Sequence, residues 1–253
     1  MRVLAVFFLL VIGAAAARAE DVDLELVLLA DASGSIDDGE IAFQRGGYAG
    51  AITHPAVLDA VAGGALQKIA VAYVEWGSAG SQDVVVGWTV VDGETSARSF
   101  AQALMAAPRK AHGRNAIGNA LAAAEALIEG NAIAGTRKVI DFSGDSAYSW
   151  GGVPVALARA NALARGIVIN GLAILCRDCA SGRPVSYDLE KAFADTIIGG
   201  PGSFVVTAGT RAAFAEAVRR KLLLEIAGDP PRRRAAMIIS PAASSPPPPG
   251  STP

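Results

Sequence analysis

Cysteine is scarce in this chain: two residues in 253, Cys176 and Cys179. A bridge between them would close so short a ring that chain entropy contributes only about 2 kcal/mol, so disulfides do not hold this fold together. Two thiols are also only half of a structural zinc site, and neither histidine, His54 or His112, is near them in sequence. Basic charge is not in excess. With 22 Lys+Arg against 24 Asp+Glu the formal net charge is −2, which gives no electrostatic footprint for nucleic acid or anionic lipid. No Gly-x-Ser-x-Gly elbow is present, and no Gly-x-Gly-x-x-Gly follows a strand, so serine-hydrolase and dinucleotide-binding readings lack support. Asp31 is followed by Ala32-Ser33 rather than by the second aspartate of an Asp-x-Asp phosphatase.

Long apolar runs are absent after the start. Residues 1–19 read as an export leader: Arg2 is the positive start, Val3 to Ile12 the apolar stretch and Ala17-Arg18-Ala19 the small-x-small cleavage pattern. The stretch is too short to span a bilayer as a stable helix, so cleavage near Ala19 is expected, giving a periplasmic or secreted chain with no membrane insertion. That cut removes Arg2 and Arg18 from the 22 Lys+Arg and none of the 24 Asp+Glu, leaving a net charge of −4. Residues 20–228 are one domain's worth of chain. Residues 229–253 open with Asp229-Pro230-Pro231 and end in a Pro/Ser/Ala-rich stretch, a composition that cannot bury enough apolar surface to order itself, so a disordered Pro-rich tail is expected.

A hydrophobic content of 52% with 28 glycines fits an α/β protein with buried parallel strands. Strand signals at 24–30, 68–76, 83–91, 137–143, 166–175 and 203–207 alternate with helix signals at 37–52, 96–106, 116–128, 153–163, 189–197 and 210–226. The alternation predicts an open, mostly parallel, doubly wound sheet with helices on both faces. Gly77-Ser78-Ala79-Gly80-Ser81 predicts one hairpin, hence one antiparallel edge strand. Trp76 and Trp88 lie on its two arms and are expected to pack in the core or over the edge.

Asp31-Ala32-Ser33-Gly34-Ser35 follows the first strand. One carboxylate and two hydroxyls at alternate positions of a tight turn make a hard-oxygen cluster suited to Mg²⁺ or Mn²⁺. Asp145 also follows a strand end, and ligands of such sheets bind beyond the carboxyl ends near the point where strand order reverses. The plainer alternative is that Asp31 and Asp145 only cap their own turns. Asp141, inside its strand, needs a partner, for which Arg137, Lys138 or nearby backbone are the local candidates.

The Asp31-x-Ser33-x-Ser35 phrase after a buried strand resembles the metal-ion-dependent adhesion site of the von Willebrand factor A-like fold, and the resemblance covers residues 22 to about 227. More closely, the phrases Val139–Asp145, Val74-Glu75-Trp76 with Val86-Gly87-Trp88-Thr89, and Ile198–Gly202 resemble an exported bacterial family of unknown function with this fold. The resemblance implies a second loop that offers a threonine and a third that offers an aspartate. In register these are Asn115, within Gly113–Leu121, and Asp145. An Asn oxygen is as neutral and as hard as a hydroxyl but reaches farther and brings an NH₂. Asp31, Ser33, Ser35, Asn115 and Asp145 are therefore the implied metal set. An open coordination position would accept a carboxylate from a partner protein.

The function so implied is an exported interaction module rather than an enzyme. The alternatives are a metal-assisted hydrolase and a metal-free scaffold with a degenerate site. For Cys176 and Cys179 an oxidising compartment favours a disulfide, with free thiols or a redox pair as the competing readings.

Overall fold

The computed structural model describes residues 19–175 and 186–228. The expected leader, the Pro-rich tail and both cysteines lie outside the described residues.

Six strands form one sheet: β1 (Glu20–Asp31), β2 (Ile69–Trp76), β3 (Gln82–Val91), β4 (Ile133–Gly144), β5 (Val168–Ile174) and β6 (Val205–Ala208). Their spatial order is β3-β2-β1-β4-β5-β6, parallel throughout except for β3, which runs antiparallel to β2 at the edge. The hairpin reading holds. Seven helices complete the chain: α1 (Asp38–Ile52), α2 (Pro55–Ala62), α3 (Glu94–Ala106), α4 (Ile117–Glu129), α5 (Val155–Ala164), α6 (Leu189–Thr196) and α7 (Arg211–Ala227).

The central strand β1 is buried on both faces because helices cover both. Leu24, Leu26 and Leu28 pack under α1, α2, α3 and α7, while Val27 and Leu29 pack under α4, α5 and α6. This two-sided burial is why the sequence reads as a continuous apolar run rather than an alternating one. Local signals set the helix starts. Asp37 and Glu40 form a capping box at α1, each side chain accepting from the other's backbone N–H at 2.8 and 3.0 Å. Thr210 caps α7, and Gly228 ends it in the left-handed conformation at φ 72°.

Two expectations need correction and one holds. No helix was expected between 53 and 67, yet α2 forms there, with His54 Nδ1 accepting from Ala56 N–H at 3.1 Å and Pro55 in the first helical position. Trp76 and Trp88 do pack in the core: Trp76, opposite Gln82, stacks on Phe142 at 5.3 Å, and Trp88 lies against the same cluster with its indole donating to the Leu127 carbonyl at 3.2 Å. Asp141 is answered by neither Arg137 nor Lys138 but by Lys221 of α7, whose Nζ lies 2.7 Å from Oδ1. Lys221 also meets Glu225 Oε1, which accepts from Asn170 Nδ2 at 3.1 Å. Four polar residues thus share the interface between α7 and the sheet, all 2% exposed or less.

Candidate functional site

The chain builds outward from β1 through β2 to β3, then returns to β4 and builds the other way to β6. Strand order therefore reverses between β1 and β4, and the crevice at their carboxyl ends is the place where such sheets hold ligands. Asp31 is the last residue of β1, and Asp145 directly follows β4.

The turn after β1 is fastened from several sides. Asp31 Oδ1 accepts from Ser33 N–H at 2.8 Å, and the Ser33 and Ser35 hydroxyls lie 3.3 Å apart. Ala32 N–H donates to the Trp76 carbonyl at 2.9 Å, and Gly34 N–H to the Gly113 carbonyl at 2.8 Å. Gly113 itself has φ 93°, and an added Cβ would stand 2.8 Å from the Ser78 Cβ, so this loop needs glycine there. Arg109 clamps the turn from outside: Nη2 donates to the carbonyls of Ala32 at 3.0 Å and Ile36 at 2.9 Å, while Nη1 meets Asp38 at 2.8 Å. Sequence reasoning missed Arg109, because a lone arginine in a Pro-Arg-Lys loop carries no signal of the backbone it will hold.

Asp31 is fully buried and Oδ2 has no hydrogen-bond partner. Burial and then the nearby Asp145 charge push its carboxyl up to about 7. The Ser33 backbone and side chain and the Asp145 N–H pull the other way, the last without meeting hydrogen-bond geometry at Oδ2. Asp145 is also raised, first by burial and further by the charge of Glu40, and is lowered by a hydrogen bond from the Ser35 side chain. Asp31, Ser33, Ser35 and Asp145 are thus brought together. The residue-115 loop adjoins them through Gly113, and Asn115 is held by its carbonyl, which accepts from Trp150 N–H at 2.5 Å.

The donor set is oxygen only, hard, and rich in carboxylate for so small a space, the chemistry that suits Mg²⁺ or Mn²⁺. An unpartnered buried oxygen facing a second carboxylate fits a divalent cation, which would offset both charges. Among the described residues no group of three or more His, Cys, Asp or Glu side chains converges for a metal. Any cation here would therefore depend on hydroxyls and amide oxygen as well as on the two aspartates. The turn hydrogen bond to Oδ1 also bears out part of the plainer reading: Asp31 does cap its own turn.

The loop from Asp145 to α5 forms one wall. Tyr148 and Trp150 are 64% and 60% exposed, among the largest apolar groups on the surface. Arg114 stacks over Trp150 at 5.1 Å from the ring centroid, and Tyr148 meets Tyr187 edge-on at 5.1 Å. Ser149 Oγ accepts from Ile117 N–H at 3.1 Å, joining this wall to the start of α4.

Solved structures of the same fold include a von Willebrand factor type A protein from Catenulispora acidiphila (17% identity, TM-score 0.56, 82% of this chain and 43% of that one). The pilus adhesin SpaC from Lactobacillus rhamnosus GG is similar at 14% identity and TM-score 0.57, over 83% of this chain and 31% of that one. Proximal thread matrix protein 1 from the mussel byssus, solved with a zinc-occupied MIDAS motif, is similar at 15% identity and TM-score 0.57, over 83% of this chain and 48% of that one. This chain spans less than half the length of each, and at these identities the likeness establishes a von Willebrand A-like fold and nothing finer. No curated protein matches it. A family model described as protein of unknown function DUF1194 matches residues 21–230, and the chain belongs to that family.

Proposed function

We propose that residues 20–228 form an exported interaction module that binds an acidic group of a partner protein through Mg²⁺ or Mn²⁺ held by Asp31, Ser33, Ser35, Asn115 and Asp145. The observation that carries this reading is the buried, unpartnered Asp31 Oδ2 beside Asp145 at the reversal of strand order. Ser33 and Ser35 supply neutral oxygens, so the ligand set carries about two negative charges. When bound, a dication supplies the missing positive charge and a coordination position for an outside carboxylate. The zinc-occupied MIDAS of the mussel protein and the adhesin role of the pilus protein support the same reading by likeness of fold. Tyr148, Trp150 and Arg114 give the partner surface aromatic faces and a positive charge, residue types that dominate binding energy in interfaces. The leader at 1–19 carries the chain out of the cytoplasm.

Binding is favoured over turnover because the proteins similar in fold include a pilus adhesin and a von Willebrand factor type A protein. Isothermal titration of the mature chain with Mg²⁺ and Mn²⁺ tests it, repeated on Asp31→Ala. Saturable uptake lost in the variant is the expected result. No uptake by the native chain would leave the metal-free scaffold. Metal-dependent hydrolysis of generic phosphoesters or esters, lost in Asp145→Ala, would make the protein a hydrolase instead.

A further inference from the structure

β4 is longer than its partner. It runs from Ile133 to Gly144, yet its ladder with β5 begins only at Val139 opposite Val168. Residues 133–138 pair with β1 and leave their other edge free of β5. The notch so formed, at the amino ends of β4 and β5, has a volume of about 330 Å³. It lies roughly 20 Å along the strands from Asp145, at about 3.3 Å per residue.

Its lining is one-sided in charge. Arg137, Lys138 and Arg165 are on its walls, and Asn170 and Glu225 are in its lining as well. Arg137 is fixed in place because its two Nη groups donate to the Glu225 and Ile226 carbonyls at 2.6 and 2.7 Å, capping the end of α7. Gly228 is pressed against that guanidinium; an added Cβ would stand 2.8 Å from its central carbon. Lys138 and Arg165 share Glu129, at 2.8 and 3.6 Å, and Arg165 also approaches Glu125 at 3.8 Å. In the lining itself three cationic side chains stand against the single acidic one of Glu225.

The acidic group of the lining is withdrawn from the opening. Glu225 is 2% exposed, its Oε1 is taken by Lys221 and Asn170, and its Oε2 has no partner. Burial, and secondly the Asp141 charge, raise this carboxyl to about 8. Asn170 is used up, donating to Glu225 and accepting from Phe204 N–H at 3.2 Å. Of the lining side chains, Lys138 and Arg165 keep exposed donors.

We propose that this notch binds a small, acceptor-rich oxyanion, of the size of a short carboxylate or a phosphate ester. The anionic oxygens meet Arg165 and Lys138. At this volume the ligand is at the small end of what protein pockets hold.

The test is isothermal titration of the mature chain in metal-free buffer with two probes, inorganic phosphate and citrate. Saturable heat with at least one is expected, and the stronger probe identifies the headgroup chemistry. Arg165→Glu, at a side chain 61% exposed and so harmless to folding, weakens binding by about tenfold or more. Lys191→Glu makes the same charge change on the exposed face of α6 and leaves binding intact. Asp31→Ala also leaves it intact, which separates this site from the metal cluster. Absence of saturable heat with both probes, no effect of Arg165→Glu, or equal losses in the Arg165 and Lys191 variants would each overturn the proposal.

Discussion

Two places in this molecule press carboxyl groups together away from water, and they resolve the conflict differently. Under α7, Asp141 and Glu225 enclose the ammonium of Lys221, with Asn170 donating to the same Glu225 oxygen. At the strand ends, Asp31 and Asp145 face each other with two hydroxyls and no cationic side chain between them. Where the chain supplies its own cation the cluster is sealed and serves the fold. Both clusters hold a carboxyl raised by burial, Glu225 to about 8 and Asp31 to about 7, and both leave an oxygen without a hydrogen-bond partner; what the strand-end cluster lacks is a cationic side chain.

Removing the internal cation should have the largest effect. Lys221→Met leaves buried Asp141 and Glu225 without their cation and is expected to cost about 3–5 kcal/mol in chemical denaturation. Replacing Asp141, Lys221 and Glu225 together by Leu, Met and Leu should recover most of that loss, since a well-packed apolar substitute for a buried ion cluster is often neutral. A triple variant as unstable as Lys221→Met would show that the charges themselves hold α7 on the sheet.

Supplying the external cation should come next. Saturation with Mn²⁺ at a hundred times its dissociation constant is expected to stabilise the chain by about 2.7 kcal/mol, seen as a rise in thermal midpoint. Asp31→Asn should abolish that rise. A rise of equal size in the variant would dissolve the contrast between the two clusters.

Acidity distinguishes them further. Glu225, surrounded by Lys221, Asp141, Asn170 and Arg137, has its folded value raised from 4.5 to about 8. The folded state therefore holds a proton that the unfolded state has released. Its stability contribution is complete below pH 4.5 and is lost as pH rises through about 8, with a slope of at most about 1.4 kcal/mol per pH unit. Glu225→Gln should flatten that segment of the denaturation profile, and an unchanged slope would assign the proton elsewhere.

The smallest effect is expected at residue 115. Asn115→Thr replaces a long amide with a compact hydroxyl and should tighten Mn²⁺ binding within about tenfold. Unchanged or weaker binding would remove residue 115 from the ligand set.

The strand-end cluster was more legible in the sequence than the sealed one, for a physical reason. Asp31, Ser33 and Ser35 are neighbours on one turn, so their spacing already states their chemistry. Asp145 follows a strand whose place in the sheet the element order implies. Lys221, by contrast, reaches Asp141 across 80 positions, and only the packing of a helix on a strand brings them together. Arg109 was hidden for the same reason, since its contacts are to distant backbone carbonyls that no side-chain pattern announces. The short helix at Pro55–Ala62 escaped because it holds only two buried side chains, Val57 and Val61, too few to mark a period. β4 begins at Ile133, earlier than expected, because Gly135 and Thr136 interrupt the apolar run while the backbone continues to pair with β1.

The outer strands of the sheet bear on how this protein behaves when concentrated. β6 is only four residues long, and the β2–β3 pairing is broken by register shifts around Tyr73. A short margin on one side and an irregular one on the other give a second molecule little straight ladder to extend. Both are features that natural sheets use to discourage a second chain from pairing at their edges.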